Sequence, residues 1–392
     1  MRAQTLPLPP SLATPLTLEA AIERGVHDNL ALHAARERQL AAAAAVDVAR
    51  QRPNPEVRVE FERETPTQAY TLGLPLELGG KRRRRIALGT AGVEVSVAES
   101  DLAAVDLRAA IRRGYFDVAG ADARLALLRE VLALAARARD AAQQRFAAGG
   151  APRLEVLQAE LARAEAENQV TALVGAAAAA RAQLRALLAL PADAELALAT
   201  PIDAGIVAAP GVSPANPDTA VDLAILASQI EEQRARVALA SALQTPDLLP
   251  EATITRGAEP EFSTGWRVGV GVTVPLFTRH RAAVHVEEAT LSALTLERDA
   301  ALARRAGAIA SARAMTDALG QQYSRYQSAI VPQAIEVERL AEDSYRLGRT
   351  GIAAFLQALQ TTRDVRLRML QTAADFQAAL ADLERAIGAP LP

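Results

Sequence analysis

An internal duplication is the feature of this sequence that most limits the folds it can adopt. Gly149 aligns with Gly348 at an offset of 199 residues, and each glycine is followed at the same distance by a Leu-Gln-Ala triplet. Upstream, Leu74-Pro75-Leu76 aligns with Val274-Pro275-Leu276 at an offset of 200 residues. Landmarks that recur in the same order at nearly one spacing indicate two copies of one structural unit.

Each copy is predicted to contain a helix, two strands, a long helix, a glycine turn and a final helix. In the first copy, Thr17 is placed to cap a helix that runs to Arg50. The predicted organisation is an N-terminal extension 1–16, a first repeat 17–190 (a helix, β-hairpin 56–78, long helix 82–147, helix 152–190), a Pro-rich linker 191–218, and a second repeat 219–388 (a helix, β-hairpin 250–277, long helix 280–347, helix 352–387).

The predicted strands alternate strictly between apolar and polar or small residues. From Trp266 to Leu276 every second residue is apolar, and Tyr70–Leu78 shows the same period. Strands of about ten residues with this pattern match the ~9–11 residues that cross a membrane in a β-barrel. An ordinary half-buried sheet is the alternative, but the alanine-rich helices offer little apolar surface to cover these faces.

Four strands are too few to close a barrel, so the membrane interpretation requires oligomerisation. A barrel needs about eight strands to hold side chains inside and more to form a channel. An open sheet in lipid would leave its edge N–H and C=O groups without partners. A dimer would give eight strands with no open lumen, and a trimer would give twelve strands with one.

The composition favours long helices over one large globular core. Half of the residues are hydrophobic (50%), yet only 3% are aromatic, and runs such as Ala41–Ala45 supply much of the apolar content. Small side chains allow long helices to pack closely, whereas a large core needs bulky residues. A helix of the length of 82–147 would reach about 100 Å and needs neighbours along that length.

Several classes of function find no support in the sequence. The net charge of -3 does not indicate a nucleic-acid-binding protein, and the absence of cysteine excludes disulfides and thiolate metal sites. The four histidines are too scattered to suggest a metal centre, and no catalytic triad or phosphate-binding loop is present, so neither an enzyme nor a cofactor is predicted. The longest uncharged apolar stretch, Val170–Ala180, is too short for a transmembrane helix. Residues 1–15 lack the apolar segment of a signal peptide, so the chain is expected to be cytosolic, or a mature or trimmed form.

With the duplication in place, the sequence resembles the TolC-type outer membrane factors. The resemblance is carried by Pro53-Asn54-Pro55 before the first strand, by the repeated hairpin-and-helix plan and by the two Gly…Leu-Gln-Ala turns. It extends from about Thr17 to Ile387. The segment from Leu74 to Arg82 is similar to the heavy-metal efflux branch, the CzcC-like proteins.

This resemblance implies a mixed α and β fold that is mostly α-helical. It implies a homotrimer with a twelve-strand transmembrane β-barrel in the outer membrane, continued by a long α-helical coiled-coil barrel in the periplasm. Such a protein is a passive exit duct, without a catalytic residue, whose partners are outer membrane lipid, a periplasmic adaptor protein and an inner membrane pump of the RND type. Heavy metal cations are the favoured substrate, with drugs or a type I secreted protein as alternatives. A soluble cytoplasmic coiled-coil scaffold is the alternative of a different class.

The resemblance also implies roles for residues at the two glycine turns. These turns would be the periplasmic tips that contact the adaptor, and four nearby positions would form the gate of the resting channel. Glu155 is equally well explained as a solvated carboxylate at a helix start, and Tyr345 as plain inter-helix packing. In the family the gate arginine falls on the position of Thr350, and Arg349 is one place away. The tip candidates are Gly149, Gly150, Pro152, Gly348, Arg349 and Gly351, and the gate candidates are Glu155, Gln158, Tyr345 and Gln357.

Basic and aromatic residues flank the predicted membrane strands. A basic run following a membrane strand suits anionic lipid headgroups, although out of context it could also bind nucleic acid. The predicted interface anchors are Lys81, Arg82, Arg83, Arg84, Arg85, Arg279, Arg281, Trp266 and Tyr70. On the polar face of the strands, mixed charges predict a non-selective lumen lined by Arg58, Glu60, Glu62, Glu77 and Arg267.

Overall fold

The computed structural model describes residues 15–206, 221–260 and 262–388. None of the helices in these ranges is both long enough and apolar enough to cross a bilayer. The described residues form the helices α1 (Leu18–Asp28), α2 (Leu30–Arg50), α3 (Lys81–Ala147), α4 (Arg153–Leu187), α5 (Val221–Ala242), α6 (Arg281–Arg325), α7 (Val331–Arg346) and α8 (Ile352–Ile387), and the strands β1 (Glu56–Phe61), β2 (Gln68–Gly73), β3 (Asp247–Ala258) and β4 (Phe262–Thr273).

The four strands form one antiparallel sheet in the order β1-β2-β3-β4. The central pairing, β2 with β3, joins the hairpin of the first repeat to that of the second. Tyr70 lies opposite Val59 on one side and Ile254 on the other, and Ile254 lies opposite Trp266. Residues directly opposite each other share a face of the sheet, so the register collects the apolar positions of all four strands on one face.

The chain divides into two compact units that cut across the duplication. One unit combines the described residues up to Leu32 with those from Ala104 to Ile206 and from Arg304 onward. The other combines His33–Ala103 with the described residues of the second repeat up to Ala303, and contains the sheet. Each unit therefore includes parts of both repeats.

The first helix is not continuous from Thr17 to Arg50 as the sequence predicted. It is broken at Asn29, whose backbone is extended (φ -67°, ψ 122°) between α1 and α2. The Asn29 Oδ1 accepts hydrogen bonds from the N–H groups of Ala31 (2.9 Å) and Leu32 (3.2 Å), as an N-cap does. Its Nδ2 donates to the carbonyl of Leu187 (3.0 Å), the last residue of α4, so a tertiary contact favours the break.

The long helix of the second repeat, predicted as 280–347, is also interrupted. A π-helical turn, Tyr326–Ile330, separates α6 from α7, and the Val331 N–H bonds to the carbonyl of Tyr326, five residues back. Pro332 follows in the first turn of α7 and has no N–H to donate to the carbonyl four residues before it. The corresponding helix of the first repeat, α3, is a single helix of 67 residues.

The two predicted hairpins, 56–78 and 250–277, have four outer ends, and three of these differ from the structure. Proline and cross-strand pairing explain the differences. β2 ends at Gly73 and β4 at Thr273, each two residues before a proline, which cannot donate to a strand ladder. Beyond β2, the N–H groups of Leu74 and Leu76 still bond to β3, at Pro250 and Leu248. β3 starts at Asp247 rather than residue 250, because this extension supplies partners for its first residues.

The described part of the predicted linker is packed rather than loose. Leu16 and Leu198 form a parallel bridge, and Ile202 is buried against the α3 backbone at Gly120, where an added Cβ would lie 2.8 Å from its Cδ1. The buried Tyr115 hydroxyl donates to the Leu16 carbonyl (2.7 Å) and accepts from the Thr200 N–H (2.8 Å). Residues 1–14 of the predicted extension and 207–218 of the predicted linker lie outside the described residues.

The double role of Asn29 predicts a graded loss of stability. Asn29→Ala removes the N-cap of α2 and the donor to Leu187, and is expected to lower the free energy of unfolding by about 1–2 kcal/mol. Asn29→Asp keeps the capping oxygen and loses only the donor, so its loss should be smaller. Chemical denaturation of the purified protein measures both, and an alanine variant as stable as the aspartate variant would contradict the capping role.

Candidate functional site

The predicted glycine turn between α3 and α4 ends α3 with a glycine in the left-handed conformation. Gly149 has φ 73°, and its N–H bonds to the carbonyl of Phe146 (2.9 Å). The N–H of Gly150 reaches back to the carbonyl of Arg145 (2.8 Å). This pair of bonds satisfies the last carbonyls of α3, and Pro152 then forms the N-cap of α4.

The turn between α7 and α8 repeats the same geometry. Gly348 has φ 70°, its N–H bonds to the carbonyl of Tyr345 (3.0 Å), and the N–H of Arg349 reaches the carbonyl of Ser344 (2.9 Å). Gly351 is the N-cap of α8. An added Cβ at Gly149 or Gly348 would meet no atom within 4 Å, so both turns present open surface.

Arg145, Tyr345 and Glu155 connect the two turns to each other. The Arg145 Nη1 donates to the carbonyl of Tyr345 (3.1 Å), and the guanidinium carbon lies 4.6 Å from the centre of the Tyr345 ring. The Tyr345 hydroxyl donates to Glu155 Oε2 (3.3 Å), which lies 4.0 Å from Arg145 Nη1. We call these three side chains the tip network; it joins the end of α3, the start of α4 and the end of α7.

The tip network packs against an apolar cluster. Tyr345 is 1% exposed and stacks on Phe355 of α8, with ring centres 6.2 Å apart and an interplanar angle of 15°. Ile352 is fully buried in the same cluster, together with small residues of α3 and α4 such as Ala142 and Ala159. The alanines let the helices approach closely enough for the aromatic pair to fill the space between them.

The environment of Tyr345 keeps its hydroxyl protonated. Burial raises the pKa of this phenol above its usual value, the negative charge of Glu155 raises it further, and Arg145 partly offsets both effects. The hydroxyl therefore acts as a hydrogen-bond donor to Glu155 at neutral pH. Glu155 is not a freely solvated carboxylate, since its side chain is 14% exposed and bound on two sides.

The partner of Tyr345 in this chain is Arg145 and not the neighbouring Arg349. Arg349 is exposed and contributes its main-chain N–H to the turn. Gln158 lies half-buried one turn along α4, and Gln357 is exposed on α8. Sequence reasoning missed Arg145, because the offset of 199 that relates the two glycine turns aligns it with Ser344 and no local pattern links it to Tyr345.

The sheet exposes its apolar face in the single chain. Trp266 is 80% exposed, and the apolar side chains of every strand are open to solvent on the same face. Tyr70 lies on this face with its hydroxyl bonded to Gln68 (3.1 Å). The large exposed residues of the four strands on this face are Val57, Val59, Phe61, Tyr70, Leu72, Ile254, Trp266, Val268, Val270 and Val272. A contiguous apolar surface of this size marks a lipid-facing or protein-facing region.

The opposite face of the sheet sorts its charges by row. Arg58, Thr71, Thr253 and Arg267 lie opposite one another across the four strands, and the two threonine hydroxyls are 3.0 Å apart. The row on one side contains Glu56 and Glu251, and the row on the other contains Glu60. Successive rows on a face are about 7 Å apart. Positive and negative residues thus alternate along β1, but across this face the arginines occupy one row and the glutamates occupy the two rows beside it.

Part of the predicted basic anchor stabilises the protein itself. Lys81 is buried and its Nζ lies 2.6 Å from Asp247 Oδ2. Arg82 donates to the carbonyl of Arg50 (2.7 Å), and Arg85 donates to the carbonyls of Ala49 (3.1 Å) and Gln51 (2.9 Å), so these guanidinium groups cap the C-terminal end of α2.

Glu77 is not a free carboxylate on the polar face, because both of its oxygens accept hydrogen bonds from Arg85, at 2.6 and 3.1 Å. The basic anchors that remain exposed are Arg83, Arg84, Arg279 and Arg281, and the Arg279 Nε donates to the carbonyl of Leu276 (3.2 Å). A role in binding lipid headgroups stays a prediction for these four residues.

Comparison with known proteins shows that the chain matches one protein family. Residues 22–190 and 219–389 match the family described as "Outer membrane efflux protein", in two segments that agree with the duplication. The chain is similar to the cobalt-zinc-cadmium resistance protein CzcC of Cupriavidus metallidurans, with 25% identity over 97% of this chain and 92% of that protein.

Solved structures share the fold. A crystal structure of CusC aligns over 100% of this chain and 99% of its own with a TM-score of 0.79 and 15% identity. The outer membrane protein VceC of Vibrio cholerae aligns over 95% of this chain and 96% of its own with a TM-score of 0.78 and 18% identity.

These matches confirm the predicted mostly helical, TolC-like fold and the prediction of a channel rather than an enzyme. The two matched segments span more than half of the chain. The chain therefore belongs to the outer membrane efflux protein family.

Proposed function

We propose that this protein is the homotrimeric exit duct of a tripartite efflux system that exports heavy metal cations. The observation that carries the proposal is the four-stranded sheet with one continuous apolar face exposed. In a bilayer the lipid chains contact this face, so it needs no protein partner. The N–H and C=O groups at the outer edges of β1 and β4, however, need hydrogen-bonding partners. Pairing β4 of one copy with β1 of the next supplies them, and three copies give the twelve strands of an open channel.

The proposed partners follow from the family. A duct that crosses only the outer membrane needs an inner membrane pump and a periplasmic adaptor to deliver its substrate, and we propose a pump of the RND type. We place the adaptor contact at the two glycine turns, which are exposed and are joined by the tip network. The similarity to CzcC, which is named for cobalt, zinc and cadmium resistance, supports heavy metal cations as the substrate.

The assembly can be tested directly. Purified from membranes and run unheated on a denaturing gel, the protein is expected to migrate as a trimer that dissociates on boiling, and to conduct ions in a planar bilayer. A monomer without conductance would contradict the proposal. For the substrate, deletion of the gene in its native host should lower tolerance of cobalt, zinc or cadmium, and unchanged tolerance of all three would reject the metal assignment alone.

The tip network predicts a change in conductance. We expect Arg145→Ala and Tyr345→Phe each to increase single-channel conductance in bilayers, because each removes a link between the turns that we propose to narrow the resting channel. Arg153→Ala is the matched control, since Arg153 is an exposed arginine at the start of α4, outside the network. If the wild type and the three variants have the same conductance, the tip network has no role in gating.

The charged rows predict a change in ion selectivity. If the polar face lines the lumen, the double variant Arg58→Gln/Arg267→Gln should raise the permeability of cations relative to anions, because it removes positive charge and leaves the glutamates. The reversal potential in a KCl gradient measures this ratio, at about 0.01 M salt, where the Debye length is about 30 Å. Arg256→Gln is the control, because Arg256 lies on the apolar face, opposite Gln68 and Thr264. If Arg256→Gln shifts the reversal potential as much as the double variant does, the effect does not depend on which face of the sheet carries the arginine.

A further inference from the structure

A cavity in the unit that contains the glycine turns is not used by the proposed transport function. Its volume is about 420 Å³, within the range of small-molecule sites. It lies between α3, the segment 198–203, the end of α6 and the middle of α8. All of the residues that line the cavity belong to the same compact unit.

The walls of the cavity are apolar on one side. Leu198, Ile202, Met369 and Leu370 supply bulky apolar surface, and on α3 the small side chains of Ala119 and Ala123 leave the space open. A flexible thioether such as that of Met369 adapts well to an apolar or aromatic ligand. The interior therefore suits the hydrophobic body of a small organic molecule.

The rim of the cavity has a negative charge that the surrounding residues do not neutralise. Asp203 is exposed at the rim and forms no ion pair with the described residues. Tyr323 is 5% exposed, and burial together with the charge of Asp203 raises its pKa to about 12. The phenol therefore stays protonated and donates to Asp203 Oδ2 (3.3 Å), which orients the carboxylate. The other acid at the cavity, Asp122, is already paired with Arg181.

The cavity is also held in shape before any ligand binds. The buried side chain of Gln377 donates from Nε2 to the carbonyls of Ile202 (3.2 Å) and Ala204 (2.9 Å), on either side of Asp203. On the other side, the Leu18 N–H bonds to Thr200 Oγ1 (3.3 Å). A segment fixed at both ends loses little conformational entropy when a ligand binds beside it.

We infer that this cavity binds small organic cations that combine an ammonium group with an apolar or aromatic body. The ammonium would pair with Asp203 and lie near the Tyr323 ring, and the body would fill the space between Ile202 and Met369. A neutral or anionic compound of the same shape would lose the charge interaction. The inference does not depend on conduction, because binding can be measured on the purified protein whether or not it forms a channel.

Equilibrium dialysis with 1-naphthylmethylammonium as the probe tests the site in the full-length protein. Saturable binding is expected, with at least about tenfold weaker binding of 1-naphthylmethanol and 1-naphthoate, which corresponds to about 1.4 kcal/mol. Asp203→Asn keeps an acceptor for Tyr323 but removes the charge, and should weaken the cation about tenfold. Asp193→Asn is the matched control, an exposed aspartate upstream of the segment 198–203 that does not line the cavity, and should leave binding unchanged.

A second variant tests the volume rather than the charge. Ala123→Leu should fill the cavity and abolish binding of the cation, with thermal unfolding used to confirm that the variant is folded. The inference is wrong if the probe does not bind saturably, if the alcohol binds as tightly as the ammonium, or if Asp203→Asn and Asp193→Asn have the same effect. Conductance of the wild type in bilayers reports separately on the exit-duct proposal.

Discussion

The pairing of β2 with β3 is the interaction on which the sheet depends. It joins strands that are about 180 residues apart in sequence, with Tyr70 opposite Ile254 and Thr71 opposite Thr253. Because side chains alternate along a strand, a slip of one residue in this register would place the apolar residues of one repeat beside the charged residues of the other. The observed register instead gives one apolar and one polar face. It also leaves the outer sides of β1 and β4 as edges, which a sheet in lipid must pair with something.

Arginine side chains that donate to carbonyl groups at the C-terminal ends of helices recur through the structure. Arg85 donates to a carbonyl at the end of α2, and Arg145 donates to one at the end of α7. At the end of α8, the Nε and Nη2 of the buried Arg305 donate to the carbonyls of Ala386 (3.0 Å) and Ile387 (3.2 Å). A guanidinium has five N–H donors and interacts favourably with the negative end of the helix dipole. In a chain without cysteine and with few aromatic residues, these charge-assisted bonds fix helix ends that small alanine cores hold only weakly.

Local chemistry made the repeated features predictable from the sequence. Gly149 and Gly348 end helices because a left-handed residue is needed there, and the alternation around Trp266 specifies one face of a strand. The features that sequence reasoning missed depend on distant partners. The break at Asn29 needs the carbonyl of Leu187, and nothing in the neighbourhood of Arg145 indicates that it reaches Tyr345, 200 residues away. Sequence reasoning predicts Lys81 and Arg85 as lipid-headgroup anchors, because the contacts that they make with Asp247 and Glu77 form only in the folded chain.

The two long helices show how duplicated segments can diverge in stability. α3 is uninterrupted, whereas its counterpart is divided at a π-helical turn that precedes Pro332. Before this turn Tyr323 is buried and bonded to Asp203, and after it no residue of α7 is buried until Tyr345, near its end. A helix segment with few buried contacts and an irregular backbone at one end opens at a lower free energy than its surroundings. The contacts of Tyr345 with Arg145 and Glu155 of the first repeat therefore hold α7 at its C-terminal end, and the part between the π-helical turn and Tyr345 is the more weakly packed.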